Sequence, residues 1–315
     1  MIALLLVGPA AMKLVDIPYP VAGAGDLVVS VELVGVCGSE IHDSRTLQYR
    51  RPPVVMGHEI SGVLADGTRV AVNPLLSCGV CPACLSGRSN ICRSRQILGI
   101  HRPGGFTSAI SVPATQLAAV PASAGAAQIV MAEPLANAVH AWALSGAGPS
   151  ARVGILGAGP VGLSVALVAS ARGVAQVDVV EPVPGRQAAA LAVGAAVRGA
   201  LSDGYDVVFD CVGTASAHRV AVDALVSGGT AVWIGLTDDN PGFGGTGLVR
   251  AEKSVRGSYG YTAPEFDEAV QLVTRVPPSW VADRPLSEGP QTFAALWQGR
   301  IETPKVAFRP EGGTR

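Results

Sequence analysis

The sequence predicts an α/β protein built from two domains. Its 315 residues are more than a single hydrophobic core commonly organises, because chains of this length usually divide. Residues 152–171 place three glycines between an apolar, strand-like run and a helix-like run. Further strand-like runs at 205–213 and 228–236 flank the helix-like Ser216–Leu225. This alternation of strands and helices is typical of a parallel sheet with helices on its faces.

The composition is that of a globular protein with little net charge. Hydrophobic residues make up 49% of the chain, charged residues make up 15%, and the formal net charge is -1. Because long basic runs are absent from the sequence, we expect no nucleic-acid partner. The opening MIALLLVGPAA has no positively charged segment before its apolar run, so it predicts a first β-strand rather than an export signal. We therefore expect a cytoplasmic protein.

Four of the six cysteines lie within fifteen residues, with the spacing C-x2-C-x2-C-x7-C. They are Cys78, Cys81, Cys84 and Cys92. Disulfides between cysteines three residues apart are geometrically awkward, and a reducing compartment also disfavours them. Four thiolates can instead surround Zn²⁺ tetrahedrally, although an iron–sulfur cluster uses the same ligands. Four protein ligands leave no open position, so we expect structural zinc that does no chemistry.

A second set of metal-ligand residue types is spread over three other segments. Cys37 lies in VGVCGSEIHD, His58 and Glu59 lie in VMGHEISG, and Glu133 lies in MAEPLANAVHA. A thiolate, an imidazole and a carboxylate can form an open zinc site, whose fourth position takes water or a substrate oxygen. The structural alternatives are a buried thiol, a surface turn and an acidic residue at a helix start. Residue types and spacing alone leave both interpretations open.

The glycine-rich segment predicts a dinucleotide-binding turn of the Rossmann type. Gly157, Gly159 and Gly162 match G-x-G-x-x-G between the strand-like and helix-like runs. The first glycine permits a tight turn, the second lets a pyrophosphate approach the backbone, and the third allows close packing of helix on strand. Pro160 and Val161 begin the helix, whose free N–H groups would face the phosphates. The uncharged run is therefore better explained by a strand, a turn and a helix than by a membrane span.

The strand after this turn predicts the coenzyme preference. QVDVVE ends at Glu181, nineteen residues past Gly162, where an acidic residue can bond both ribose hydroxyls and would repel a 2′-phosphate. NAD is therefore favoured over NADP, with Arg186 as the opposing signal because a nearby arginine can accommodate that phosphate. Later strand-like runs end in small residues, as strands do where they meet a ligand. The remaining predicted coenzyme residues are Val212, Gly213, Ile234, Gly235, Leu236 and Ser258.

Together these motifs resemble the zinc-dependent medium-chain alcohol dehydrogenases, especially the polyol, sorbitol and threonine dehydrogenase branch. The matching segments run in order along nearly the whole chain: CGSEIH, PPVVMGHEISG, the cysteine cluster, GGFTSAISVP, EPLANAVHA, GAGPVG, DVVFDCVG, AEKSVRGSYGY and a tail ending KVAF. The resemblance implies a β-rich, GroES-like catalytic domain over 1–137 and 262–315, which carries both zinc sites. It also implies a Rossmann domain with a doubly wound parallel sheet over 138–261, an active site in the cleft between the domains, and a homodimer or homotetramer.

The resemblance also implies a ligand set for the catalytic zinc. Cys37 and His58 match two ligands, and either Glu133 or Glu59 would complete the set, a choice that the sequence leaves open. Bound zinc would lower the pKa of a substrate hydroxyl, so that hydride passes to NAD and a ketone forms.

Two further residues resemble the proton path of the family. Ser39 matches the relay hydroxyl, and His42 matches the imidazole that passes the proton to solvent. The implied substrate is a secondary alcohol on a polyol, sugar or cyclitol. The alternatives are an amino alcohol such as threonine, or a non-catalytic, zinc-stabilised NAD-binding sensor.

Other parts of the chain predict less chemistry. The remaining histidines, His101, His140 and His218, show no ligand-like pairing, and we expect them to be structural or solvent-facing. The segment between Glu181 and Asp206 is short, as if one strand–helix unit of the nucleotide domain were missing. We expect this shortening to affect contacts to adenine more than the hydride chemistry.

Overall fold

The computed structural model describes residues 1–238, 240 and 244–311. The chain divides into two compact units, the first from Met1 to Glu133 with a return at Thr262, the second Pro134–Tyr261.

Strands β1 to β18 are Ile2–Gly8, Ala11–Asp16, Asp26–Gly35, Val54–Val55, Glu59–Val63, Arg69–Val72, Leu75–Leu76, Gln96–Ile97, Ala109–Pro113, Leu117–Ala119, Arg152–Leu156, Gln176–Val180, Ala196–Arg198, Tyr205–Asp210, Leu225–Trp233, Ser254–Gly257, Val281–Pro285 and Lys305–Arg309. Helices α1 to α10 are Gly38–Thr46, Pro82–Leu85, Ala126–Ile129, Ala132–Ser145, Pro160–Ala171, Pro184–Leu191, Ala215–Asp223, Gly245–Arg250, Ala263–Leu272 and Gly289–Trp297.

The first unit is built on a seven-stranded sheet in the order β10-β6-β5-β3-β18-β17, with β9 also paired to β3. A three-stranded sheet, β2-β1-β4, lies beside it in the same unit. Three fully buried rings, Phe106, Phe293 and Phe308, meet in the core, and Phe106 packs edge-on against the other two at 6.0 and 5.3 Å between centroids. Burying each ring contributes roughly 1.5–3 kcal/mol. Two of these rings follow residue 262, so the returning chain completes the core of the first unit.

The second unit is a six-stranded sheet in the order β13-β12-β11-β14-β15-β16, and all its strand pairs are parallel. This is the doubly wound order that the glycine turn predicts. Gly157 has φ +89°, and a Cβ on Gly162 would overlap the carbonyl oxygen of Gly157. Both glycines are therefore required by the turn between β11 and α5. The uncharged run at 153–171 forms that strand, turn and helix, and no helix of the described residues is long and apolar enough to cross a membrane.

The short segment after Glu181 keeps more of the fold than the sequence predicts. A third strand, β13, pairs parallel with β12, so the prediction of a missing strand is wrong. Only the helix is missing, because residues 199–204 pass from β13 to β14 without one. Leu201 and Tyr205 cover the sheet there, and a Cβ on Gly154 would lie 2.8 Å and 3.2 Å from their Cδ1 atoms. Gly154 thus lets this connection pack directly on the strands.

Candidate functional site

The four clustered cysteines, Cys78 to Cys92, converge in the lobe around α2. All are free thiols, and their Sγ atoms lie within 4.8 Å of one another. The separations are 3.5 Å for Cys81–Cys84 and Cys78–Cys92, 3.8 Å for Cys81–Cys92 and 3.9 Å for Cys78–Cys84. Four thiolates at the usual Zn–S distance of about 2.3 Å would lie about 3.8 Å apart. The spacing fits a tetrahedral zinc site without rearrangement.

One of these thiols is prepared for metal binding by the backbone. A hydrogen bond from the N–H of Cys84 lowers the pKa of Cys81 to about 6. Desolvation raises the pKa of Cys84 to about 11, so these two thiols differ in how readily they ionise. Because the thiolate is the form that binds metal, this backbone hydrogen bond favours the metal-binding form of Cys81.

A second potential metal site lies where β3, α1 and β5 meet. The ligand atoms of Cys37, His58 and Glu59 lie within 4.8 Å of one another. Antiparallel pairing of β3 with β5 sets Gly35 opposite Glu59, which brings Cys37 beside the His58–Glu59 pair. Gly35 needs to lack a side chain, because a Cβ there would overlap Glu59 Oε2. The structure thus brings three of the four predicted catalytic-zinc residues together.

Glu40 lies behind His58 and has no solvent exposure. Its Oε1 accepts a hydrogen bond from the N–H of Gly57 at 2.7 Å and lies 3.1 Å from His58 Nδ1, while Oε2 accepts from the N–H of Cys37. A carboxylate on one imidazole nitrogen fixes the ring and leaves the other nitrogen for a metal. Sequence reasoning missed Glu40, although its place in CGSEIH is a signal that could have found it.

The electrostatics of this pocket favour a cation. Burial by itself lowers the pKa of His58, but the charges of Glu40 and Cys37 outweigh it and raise that pKa well above its usual value. Burial likewise raises the pKa of Glu40, and His58 and Arg50 together lower it below its usual value. A bound metal ion would supply the positive charge that a proton on His58 otherwise provides.

Arg50 and Asp43 hold α1 in place beneath this pocket. Both are buried, and Asp43 Oδ2 accepts hydrogen bonds from the backbone N–H and the guanidinium of Arg50, at 2.8 and 3.1 Å. Arg50 Nε also donates to the carbonyl of Gly99 at 3.0 Å. Because Cys37 is the N-cap residue of α1, this buried ion pair also positions a predicted zinc ligand.

The Glu59 carboxylate is bound by Lys305, which comes from the last strand. Both residues are 1% exposed, and Lys305 Nζ lies 2.6 Å from each oxygen of Glu59 and 2.9 Å from the carbonyl of Val36. Burial alone lowers the pKa of Lys305, but the charges of Glu59, Cys37 and Glu133 raise it overall. Sequence reasoning missed this lysine, which is 246 residues from Glu59 along the chain.

Glu133 lies in the first turn of α4 and is half-buried. Its charge acts on Lys305, but its carboxylate is not one of the three ligand groups that lie within 4.8 Å of one another among the described residues. Glu59 is closer to the other ligands but faces Lys305 with both oxygens. The role of each carboxylate as zinc ligand stays a prediction.

The predicted proton path lies on α1. Ser39 Oγ is 3.3 Å from Cys37 Sγ, and both Ser39 and His42 are exposed. Residues three apart on a helix share a face, so hydroxyl and imidazole are neighbours on the solvent side. Their placement agrees with a route for protons, and the relay itself stays a prediction.

The glycine turn of the second unit is held from below by Glu181. Its Oε2 accepts a hydrogen bond from the N–H of Ala158 at 2.7 Å, and its Oε1 accepts from the N–H of Val183 at 2.9 Å. Glu181 is 5% exposed. Arg186 lies on α6, and its buried Nε has no hydrogen-bond partner within the described part of the chain. Glu181 therefore shapes the turn, in addition to its predicted contact with ribose.

The other predicted coenzyme residues meet at the carboxyl ends of β14, β15 and β16. Gly213 has φ +77°, and a Cβ on it would lie 2.7 Å from the N of Leu236. The N–H groups of Ile234 and Gly235 donate to the carbonyl of Asp210, at 2.9 and 3.0 Å. The N–H of the buried Ser258 donates to the carbonyl of Trp233 at 2.8 Å. The backbone segment Val212–Gly213 thus crosses the segment Ile234–Leu236 in close contact. A parallel sheet of this order binds its ligand at this edge.

Comparison with known proteins decides the family. A model described as "Alcohol dehydrogenase GroES-like domain" matches residues 23–122, and one described as "Zinc-binding dehydrogenase" matches residues 160–275. L-galactonate-5-dehydrogenase of Escherichia coli (strain K12) is 31% identical over 280 residues, covering 81% of this chain and 82% of that protein. The chain belongs to the zinc-dependent medium-chain alcohol dehydrogenase family.

Other members of the family extend the similarity to nearly the whole chain. L-threonine 3-dehydrogenase of Streptomyces coelicolor is 31% identical over 317 residues, covering 91% of this chain and 88% of that protein. A zinc-binding dehydrogenase structure from Sinorhizobium meliloti 1021, bound to NADP, has a TM-score of 0.90 at 28% identity and covers 98% and 99% of the two chains. The predicted family, fold class, enzyme class, and need for zinc and a nicotinamide coenzyme are confirmed.

Proposed function

We propose that this dehydrogenase oxidises a secondary alcohol on a polyol or sugar-derived substrate to a ketone, with NAD as the hydride acceptor. The observation that carries the proposal is the contrast between the two ligand sets. The four cysteines close a tetrahedron, whereas Cys37, His58 and one carboxylate leave a position for an alcohol oxygen. The four-cysteine set is suited to a structural zinc ion, and the set with an open position is suited to a catalytic zinc ion.

The residues present fit the zinc and coenzyme that the family uses. When bound, zinc supplies the charge that lowers the pKa of the alcohol hydroxyl, and NAD supplies the hydride acceptor. Glu40 holds the His58 ring in one orientation, and Lys305 balances the charge of Glu59. Ser39 would take up the hydroxyl proton and His42 would release it to solvent, since both are exposed on α1. The chain thus orients the reacting groups and moves one proton.

The names of similar proteins support the substrate class. They include L-galactonate-5-dehydrogenase, L-idonate 5-dehydrogenase of Vitis vinifera at 29% identity and sorbitol dehydrogenase of Arabidopsis thaliana at 29% identity. Each name describes a dehydrogenase of a sugar acid or polyol. An amino alcohol such as threonine is the second candidate, because an L-threonine 3-dehydrogenase of Chelativorans is 32% identical over 250 residues. The alternative of a non-catalytic sensor receives no support from these relatives.

A substrate screen tests the proposal directly. Purified protein of known zinc content is mixed with polyols, aldonates, cyclitols and amino alcohols, with NAD and NADP in parallel, and reduced coenzyme is followed by absorbance. We expect turnover with a member of the first three classes and a preference for NAD, because Glu181 lies where a 2′-phosphate would be repelled. Turnover confined to amino alcohols would select the second candidate. No turnover by fully zinc-loaded protein with any class would contradict the proposal.

A further inference from the structure

A buried histidine–aspartate pair lies beneath the crossing of the two backbone segments in the second unit. His218 Nδ1, on α7, lies 2.7 Å from Oδ2 of Asp210, the last residue of β14. His218 is 4% exposed and Asp210 has no exposure. Of the two expected roles of His218, structural or solvent-facing, the structure shows the first, because the imidazole is buried and paired with a buried carboxylate.

The second oxygen of Asp210 fixes the first of the crossing segments. Asp210 Oδ1 accepts hydrogen bonds from the N–H groups of Val212 and Gly213, each at 2.8 Å. Gly213 has positive φ and no side chain, so it can be held in this conformation only through its own N–H and carbonyl groups. The Asp210 carboxylate holds the N–H side of this segment, while the N–H groups of Thr237 and Asp238 donate to the carbonyl of Gly213 at 3.2 and 2.8 Å.

The ring of His218 contacts the second crossing segment. It stacks on Trp233 with 3.8 Å between centroids and 18° between planes. Trp233 ends β15 and directly precedes Ile234 and Gly235, whose N–H groups donate to the carbonyl of Asp210. One side chain thus braces both segments, one through its Nδ1 and the other through its ring face.

The order of the sheet indicates which half of the coenzyme would lie at this crossing. Doubly wound sheets consist of two mononucleotide-binding halves, and Glu181, the predicted ribose partner, follows β12 in the first half. Strands β14 and β15 lie on the other side of β11, in the second half. The crossing therefore belongs to the half that receives the nicotinamide mononucleotide.

We propose that His218 is a positioning residue for the nicotinamide end of the coenzyme, acting through Asp210 and Trp233. The inference rests on the proposed coenzyme site and adds a residue that does not itself contact the coenzyme. Without the Nδ1 partner, one oxygen of a buried carboxylate would be unsatisfied, and Asp210 would turn to reach other donors. The Val212–Gly213 segment would then lose the two hydrogen bonds that Asp210 Oδ1 accepts and would be held less closely.

The test compares two ligands that differ only at the nicotinamide end. Affinities for NADH and for ADP-ribose, which lacks the nicotinamide, are measured by calorimetry on zinc-loaded, full-length protein. His218→Phe keeps a ring over Trp233 and removes the nitrogen. We expect it to weaken NADH binding about tenfold, equivalent to about 1.4 kcal/mol. ADP-ribose binding should change by less than about twofold, because ADP-ribose keeps the adenosine half and has no nicotinamide ring to be positioned.

A conservative variant distinguishes positioning from general stability. His218→Asn places an amide near the position of Nδ1, and we expect it to bind NADH within about threefold of wild type. Should His218→Phe fail to fold, His218→Gln replaces it, because its amide matches Nε2 rather than Nδ1 and should also weaken NADH selectively. Equal losses for NADH and ADP-ribose, or a loss in His218→Asn as large as in His218→Phe, would overturn the inference. Wild-type protein that bound neither ligand would overturn the proposed function itself, whereas unchanged NADH binding by His218→Phe would overturn only the role of His218.

Discussion

At the scale of single residues, the candidate metal pocket depends on charges that are buried in pairs. Lys305 with Glu59, and Arg50 with Asp43, place full charges where almost no water reaches them. Such pairs add little net stability over apolar residues, but removing one partner is costly because the other charge is left unpaired. Their role is to fix side chains at defined positions.

Replacing Lys305 tests this cost. We expect Lys305→Met to lower the free energy of unfolding by about 3–5 kcal/mol, because Glu59 would be left as an unpaired buried carboxylate. Adding Glu59→Gln should restore most of the loss, since both charges are then removed. Denaturant unfolding measures both variants, with Lys13→Met as the control because Lys13 is exposed. A single variant as stable as wild type would show that the pair does not carry charge in the folded protein.

Replacing Glu40 tests the support behind His58. We expect Glu40→Gln to weaken zinc binding at the catalytic site by about 10–100-fold, the usual effect of losing a carboxylate behind a metal-bound histidine. Competition with a chromogenic chelator measures the affinity, and the four-cysteine site in the same molecule is the internal reference. Glu288→Gln is the matched control, because Glu288 forms only a partly exposed pair with Arg284. Equal zinc affinity in Glu40→Gln and wild type would contradict the role of Glu40.

At the scale of elements, the two metal sites differ in how they are built. The cysteine lobe draws all four ligands from one segment of fifteen residues, around the single helical turn of α2. The catalytic set depends on the pairing of β3 with β5 and is therefore as stable as the sheet itself. Loss of metal should unfold the lobe locally and leave the second pocket in shape.

Two cysteine variants separate these sites. We expect Cys37→Ala to lose nearly all turnover and to keep a melting temperature close to wild type, because the sheet that holds it is unchanged. Cys81→Ala should bind one zinc ion fewer and melt at a clearly lower temperature, because its lobe has little apolar core. Metal analysis, thermal unfolding and coenzyme reduction are measured on both. Identical behaviour of the two variants would contradict the division into structural and catalytic zinc.

At the scale of the whole molecule, the sequence predicts those features that are local. The glycine turn and the cysteine lobe each depend on residues close together in the chain, and the glycine motif also indicates the doubly wound order of the second unit. The pair of Lys305 with Glu59 and the hydrogen bonds of Glu40 depend on which strands become neighbours, which local patterns do not specify. The sequence also does not predict that a helix is missing before β14. A short segment does not show whether a strand or a helix has been lost.

Each unit should respond to its own ligand. Chelation of zinc by dipicolinate is expected to abolish turnover and lower the stability of the first unit, since both sets of ligands lie there. The affinity for ADP-ribose should stay within about threefold of its value before chelation, because the glycine turn and Glu181 belong to the second unit. Calorimetry before and after chelation, with zinc added back as the control, makes the comparison. A parallel loss of ADP-ribose binding would show that the second unit needs the metal to fold.

The connection between β13 and β14 shows how a dinucleotide-binding sheet can be shortened. In a doubly wound sheet, helices normally shield both faces from water. Here Leu201 and Tyr205 lie over Gly154, and a Cβ at this position would be closer to both side chains than ordinary van der Waals contact. An alanine at residue 154 would require both side chains to shift, so the close cover of this shortened sheet depends on a position that carries no side chain.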